Sequence, residues 1–294
     1  MHFCSLFGRG FDSRRLHKIT NPLKEWVCFF YIFDNLIINY KQFKMKKYLL
    51  LFTFLLGLSV NGQYAIMSAV DLNEGAEDDY LKLEKFWSAV HEEAIAQGLQ
   101  TGWSVWKRTP QEGDEAQNNE YLIFDLFNSM ETLENYFDGQ ALAQKVYKGK
   151  MSKRAITRMM EGTGSESRER RNYTIKVVDA TIRAGEVKPG DKATLNLMNK
   201  KTEDFENYET QVWKPIAEKN ILNGRLRQWI LLEVTDRADN AFEGFTHFAW
   251  NLLGNQDVEF EGMSGFKWDK LWEGIESSRD MQDAEEYTCV FVAN

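Results

Sequence analysis

The run from Tyr64 to Leu72 is mostly apolar and predicts a strand. Glu77, Asp78 and Asp79 then supply acidic residues to the first turn of a helix, where the macrodipole favours them. Leu83, Phe86, Trp87, Val90, Ala94 and Ile95 recur at helical spacing, and Gly98 stands where a helix usually stops. Residues 102–108 and 120–127 predict two further strands, separated by a polar, turn-rich stretch from Pro110 to Asn119. Ser129 opens a second helical region that runs with breaks to about Glu161. A charged linker over 162–171 and a strand over 173–181 follow. Strand, helix, strand, strand, helix, strand is the split βαβ, or ferredoxin-like, order.

The pattern then repeats 126 residues on: Trp87, Glu92, Ile95, Gly98 and Trp103 recur without a gap as Trp213, Glu218, Ile221, Gly224 and Trp229. The same offset carries Asn73, Glu77 and Asp78 onto Asn199, Glu203 and Asp204. The second copy predicts strands at 192–198, 226–234, 244–253 and 287–293. Its helices are expected at 202–222, with Thr202 as N-cap, and around 266–281. Pro215 falls inside the first of these, where it should kink the helix or shift its start.

The strands at 227–233 and 247–253 are apolar on both faces, so both faces must be covered. Helices cover one face; the matching sheet of the other copy is the natural cover for the second. The expected fold class is therefore α+β: two tandem ferredoxin-like (βαββαβ) modules, 63–183 and 184–294, packed sheet to sheet as an α+β barrel within one chain. A barrel completed by one chain makes a monomer sufficient, although exposed edge strands leave a homodimer open.

The ends read differently. Residues 1–44 hold seven Phe without helical or strand punctuation and are expected to lie outside the native fold, with Met45 as the true start. Met45-Lys46-Lys47, the apolar stretch Tyr48–Leu58, and small residues at Val60 and Gly62 form the pattern of a signal peptide over 45–62. The apolar stretch is too short to span a bilayer comfortably. An exported chain, periplasmic or secreted, cut near Gly62 and without a stable membrane anchor, is the expectation. No Cys follows the expected cut, which argues against a lipid anchor.

Residues 1–62 hold nine Lys+Arg and three Asp+Glu, so the remainder carries 36 − 9 = 27 basic and 44 − 3 = 41 acidic residues, a net of −14. That sign argues against nucleic acid as a partner. Cys289 is the one cysteine after residue 62, which leaves no intrachain disulfide. It reads as a buried residue of a strand.

Two histidines follow residue 62. His91 lies one turn after Trp87 on the first helix; His91-Glu92-Glu93-Ala94-Ile95 lacks the second His of a zinc-protease helix. His247 aligns with Tyr121, and Asn251 with Asp125; in each copy the two residues lie four apart on a strand and share a face. Leu122, Phe124, Leu126, Phe248, Trp250 and Leu252 occupy the opposite face, which should meet the helices. Tyr121, Asp125, His247 and Asn251 are then expected to point between the sheets, with Arg227 available to pair with Asp125. Their role there is a structural polar network or a ligand site. Trp103 and Trp229 are matched aromatic positions, whereas Trp106 has no aromatic counterpart, Leu232 being its equivalent; parity places Trp103 and Trp106 on opposite faces. There is no GxGxxG before a helix, no P-loop, no G-x-S-x-G elbow and no CxxC. No cofactor and no metal site is expected.

Phe86-Trp87, His91-Glu92, Gly98 and Gly102-Trp103, within two ferredoxin-like modules, resemble exported bacterial proteins of the dimeric α+β barrel superfamily. The resemblance covers nearly all of 64–294. That superfamily includes cofactor-independent monooxygenases, haem peroxidases, haem-degrading enzymes and simple ligand-binding proteins, so fold does not select among functions. Three readings follow. The first is a non-catalytic protein binding a small, largely apolar molecule between its sheets, with a candidate pocket of Tyr121, Asp125, Arg227, Trp229, His247, Asn251, Trp103 and His91. The second is a monooxygenase-type enzyme on a small aromatic substrate, with His247 or Asp125 as base and Asn251 and Trp229 as orienting groups. The third is a haem protein with His91 or His247 as axial ligand.

Overall fold

The computed structural model describes residues 63–111 and 119–294. The expected signal peptide and the stretch before it lie outside the described residues. In chain order the elements are β1 (Tyr64–Leu72), α1 (Glu77–Ala96), β2 (Gly102–Arg108) and β3 (Tyr121–Phe127). Three short helices, α2 (Met130–Glu134), α3 (Gly139–Val146) and α4 (Lys153–Glu161), lead to β4 (Ser167–Ala180). The second half has β5 (Lys192–Lys200), α5 (Phe205–Tyr208), a π turn at Glu209–Trp213, α6 (Lys214–Leu222), β6 (Leu226–Arg237) and β7 (His247–Leu253). It ends with α7 (Phe266–Ser278), β8 (Arg279–Met281) and β9 (Glu285–Ala293).

The first four strands pair in the order β4-β1-β3-β2, and the later ones in the corresponding order β9-β5-β7-β6, all antiparallel. Two further pairings join the halves: β2 with β9, and β4 with β6. The result is a closed eight-stranded barrel with helices outside, and β8 added on β5. The halves are thus hydrogen-bonded edge to edge as well as facing one another. Closure removes the edges that would otherwise template association.

Local chemistry explains the elements. Gly98 and Gly224 end the two matched helices with φ of 72° and 86°, a left-handed conformation that other residues adopt at a cost. Ser129 makes a capping box with Thr132, and Asp138 and Ser152 cap α3 and α4. The expected Thr202 cap is not made; Asp204 precedes α5 without a side-chain cap. Pro215 has no N–H to give to the preceding turn, and the helix passes through its π turn immediately upstream. The charged stretch expected to be a linker is strand from Ser167 onward. Its arginines reach carboxyl groups on neighbouring elements: Arg168 pairs with Asp71, and Arg170 Nη2 lies 3.8 Å from the Glu84 carboxyl.

The barrel interior is one apolar cluster drawn from both halves, including Met67, Trp106, Leu122, Phe124, Leu232, Phe248, Trp250, Leu252, Tyr287 and Cys289. Outside it, α1 packs on Val70, Trp103, Val105, Tyr121 and Ile123, while α5 and α6 pack on Trp229, Leu231 and Ala249. Matched positions occupy matching places: Trp103 and Trp229 both lie fully buried beneath helices.

Candidate functional site

The strand faces are the reverse of the sequence expectation. Leu122, Phe124, Phe248, Trp250 and Leu252 point into the barrel, and Tyr121, Asp125 and His247 point out toward the helices. Both faces of β3 and β7 are rich in apolar side chains, so alternation marked two faces without saying which lay inside. The physical reason for the choice is partner supply. A buried Asp needs hydrogen bonds, and the layer beneath the helices supplies them to Asp125 from Gln100 and Tyr136, whereas the barrel lumen packs ring against ring.

The predicted residues therefore divide. His91 Nδ1 donates to Gln100 Oε1 at 2.8 Å, and Gln100 Nε2 donates to Asp125 Oδ1 at 2.9 Å. Tyr136 adds a third link, its hydroxyl donating to the same oxygen at 3.1 Å. The imidazole stacks on Trp103 at 4.7 Å and meets the edge of Phe137 at 5.6 Å. Burial lowers the His91 pKa and holds the ring neutral. Tyr121 turns to the start of α1, donating to Glu77 Oε1 at 2.6 Å, and burial raises its phenol pKa.

The second half has no such chain. His247 Nδ1 lies 3.0 Å from Thr246 Oγ1, and its ring packs on Phe205. Asn251 donates to Thr194 Oγ1 and Asn196 Oδ1 at 3.2 and 3.1 Å. Arg227 does not pair with Asp125; it binds Asp191 at 2.7 Å and donates to the Ala184 carbonyl. Trp229 is fully buried, with its indole N–H unpartnered. These eight residues do not line a common cavity. Both imidazoles are buried beneath helices, His91 between Trp103 and Phe137 and His247 against Phe205, which does not fit an axial ligand presented to a haem plane.

A cavity is present, on the other face. It lies in one end of the barrel, has a volume of about 390 Å³, and takes in the starts of β1, β2 and β6 and the ends of β3, β7 and β9. Of the predicted set, Trp103 alone reaches it. The opposite end is plugged by Tyr173, Phe245, Phe248 and Tyr287. Trp106 and Phe124 meet Trp250 edge-on at 5.0 and 5.1 Å and form an aromatic wall. Trp106 Nε1 is satisfied by Ser104 Oγ at 2.8 Å, so the wall carries no frustrated donor there. Leu126, Val177, Ile230, Leu232 and Leu252 supply aliphatic surface, and Gln63, Thr101, Arg183, Gln228 and Asn294 supply polar groups.

A signal for these residues was present in the sequence. At the repeat offset, Trp106 corresponds to Leu232, Phe124 to Trp250 and Leu126 to Leu252, and all six line the cavity. The size mismatch in the first two pairs makes the lumen unequal between halves.

The fold is an α+β barrel, its antiparallel sheet closed within one chain. Among solved structures, a proposed monooxygenase from Fusobacterium nucleatum aligns with a TM-score of 0.51 at 12% identity, covering 79% of this chain and 94% of the other. A proposed monooxygenase from Lactobacillus acidophilus aligns with a TM-score of 0.51 at 10% identity, covering 80% and 97%. At such identities the likeness is one of fold. No family model and no curated protein matches the sequence.

Proposed function

We propose that this protein binds a small, largely apolar molecule in the open end of its barrel. The observation that carries this reading is the 390 Å³ cavity, with aromatic and aliphatic walls and few polar groups, the usual make-up and size of a ligand site. The edge-on rings of Trp106, Phe124 and Trp250 suit a flat apolar body. Arg183 is exposed and makes no ion pair among the described residues, so it favours a ligand with an acidic or acceptor end.

Binding is favoured over catalysis because no carboxylate, imidazole or thiol side chain lines the cavity. The His91–Gln100–Asp125–Tyr136 chain serves as a structural network beneath α1. We read the two halves as tandem copies of one ferredoxin-like module, supported by their matching strand orders and the repeat. Export rests on the pattern of residues 45–62.

Native mass spectrometry of the purified protein, with and without an added panel of aromatic carboxylic acids and phenols, tests the proposal. A one-to-one adduct is expected, lost in Val177→Phe, which fills the cavity. Retained binding in that variant sinks the barrel site. Turnover of phenols or quinols that is abolished by Asp125→Asn in a folded protein would instead favour the monooxygenase reading.

A further inference from the structure

A second concavity lies outside the barrel on the second half, where α6, α7 and the loop between β7 and α7 meet. It measures about 250 Å³ and is lined by Trp213, Ile216, Phe260, Gly262, Met263, Trp268 and Trp272. Trp213 lies 6.2 Å from Phe260 and 6.4 Å from Trp272, and Trp272 lies 5.6 Å from Trp268. None of the three indoles is fully buried, and Phe260 and Met263 are exposed. Four aromatic faces thus gather around a space just below the usual ligand-pocket range of about 300–1,000 Å³, enough for a headgroup.

The repeat shows that this opening is not required by the fold. Trp87, the counterpart of Trp213, donates to Thr163 Oγ1 at 3.0 Å and packs over Gly139 beside Met160. There α3 and α4 cover the outer face of α1. The second half has only α7 in that interval, and the rings it would otherwise bury remain open.

The loop is held in place. Asn220, fully buried on α6, donates to the Glu261 carbonyl at 2.9 Å and accepts from the Glu261 N–H at 2.8 Å. The segment that supplies five of the seven lining residues is acidic: residues 255–278 hold six Asp+Glu and two Lys. Lys270 is engaged by Glu273, whereas Glu261 and Glu276 make no ion pair among the described residues. Glu276 stands at the cage itself, accepting from Trp272 Nε1 at 2.7 Å. Lys214, on the adjoining helix, is turned to Asp179.

Aromatic faces attract cations through the ring quadrupole, and quaternary ammonium groups gain most because they carry little hydration to lose. An uncharged apolar ligand would gain nothing from the surrounding carboxylates, and an anion would be repelled. We infer that the Trp213–Phe260–Trp268–Trp272 basin is a binding site for a quaternary or N-methylated ammonium group.

The test is titration of the full chain with choline chloride, followed through the indole N–H signals in NMR. Saturable shifts are expected for three indoles, assigned by Trp→Phe variants at 213, 268 and 272. The carbon isostere 3,3-dimethylbutan-1-ol should bind about tenfold more weakly. Trp268→Ala should abolish the shifts, and Glu276→Gln should weaken binding several-fold, each with an unchanged melting temperature. Val177→Phe, which blocks the barrel, should leave choline binding intact. Equal binding of the isostere, absence of saturable shifts up to tens of millimolar choline, or loss of binding in Val177→Phe each overturns the inference.

Discussion

Glu84 permits a prediction whose size can be worked from its surroundings. It lies on the buried face of α1, 3% exposed, with Arg170 Nη2 at 3.8 Å and Asp125 and Glu166 close enough to repel it. Burial outweighs the arginine and raises its pKa from 4.5 to about 8. The folded chain therefore holds a proton that the unfolded chain releases. A raised carboxyl pKa contributes stability that is present below about pH 4.5 and is lost as pH rises toward 8. At about 1.4 kcal/mol per pH unit, the interval from 4.5 to about 8 is worth at most about 5 kcal/mol, of which about 3 falls between pH 5 and 8. Glu84→Gln keeps the shape and the neutral state and removes the titration. Unfolding free energies from urea titrations at pH 5 to 8 should fall more steeply in the wild type, by up to about 3 kcal/mol over the interval. The variant should also be the more stable at pH 8. Parallel pH profiles, or a variant less stable at pH 8, would show that Glu84 is ionised and paired with Arg170, and the reasoning would fail.

Other outcomes follow from the same layers. Burial lowers the His91 and His247 pKa values, so their contributions are present above about pH 6.5 and lost at lower pH. Opposed to Glu84, they should give a stability maximum at mildly acid pH that moves lower in His91→Gln, read by thermal unfolding. Glu209 and Arg279 form a buried ion pair, and burial lowers the arginine to about 10. Arg279→Met should cost about 3–5 kcal/mol by leaving a carboxylate unpaired, and adding Glu209→Leu should recover much of it in denaturant titrations. Trp250→Ala, which removes the ring between Trp106, Phe124 and Tyr287, should cost about 3–5 kcal/mol. It should also admit bulkier ligands in native mass spectrometry. Asp125→Asn should cost about 1–3 kcal/mol in chemical denaturation while leaving barrel binding unchanged.

Local patterns along this chain carried far. Tyr64–Leu72 and Gly102–Arg108 form strands at the expected limits, and Glu77–Ala96 is helical between its acidic first turn and Gly98. The repeat offset placed Trp103 opposite Trp229 and Gly98 opposite Gly224, and the double-sided apolar strands required cover on both faces. These features depend on neighbours a few residues away, or on area that must leave water wherever its cover comes from. Tertiary structure decided what depends on distant partners. It closed the barrel by joining β2 to β9 and β4 to β6. It also chose which face of β3 and β7 lies inside. Asp125 faces outward because Gln100 and Tyr136 reach it there, from segments whose approach no period in the sequence encodes. The cavity is likewise what remains when Trp106, Phe124 and Trp250 meet Leu232 and Leu252 across a closed sheet. Its volume is a difference between packed side chains from both halves, and that difference exists only once the chain has folded.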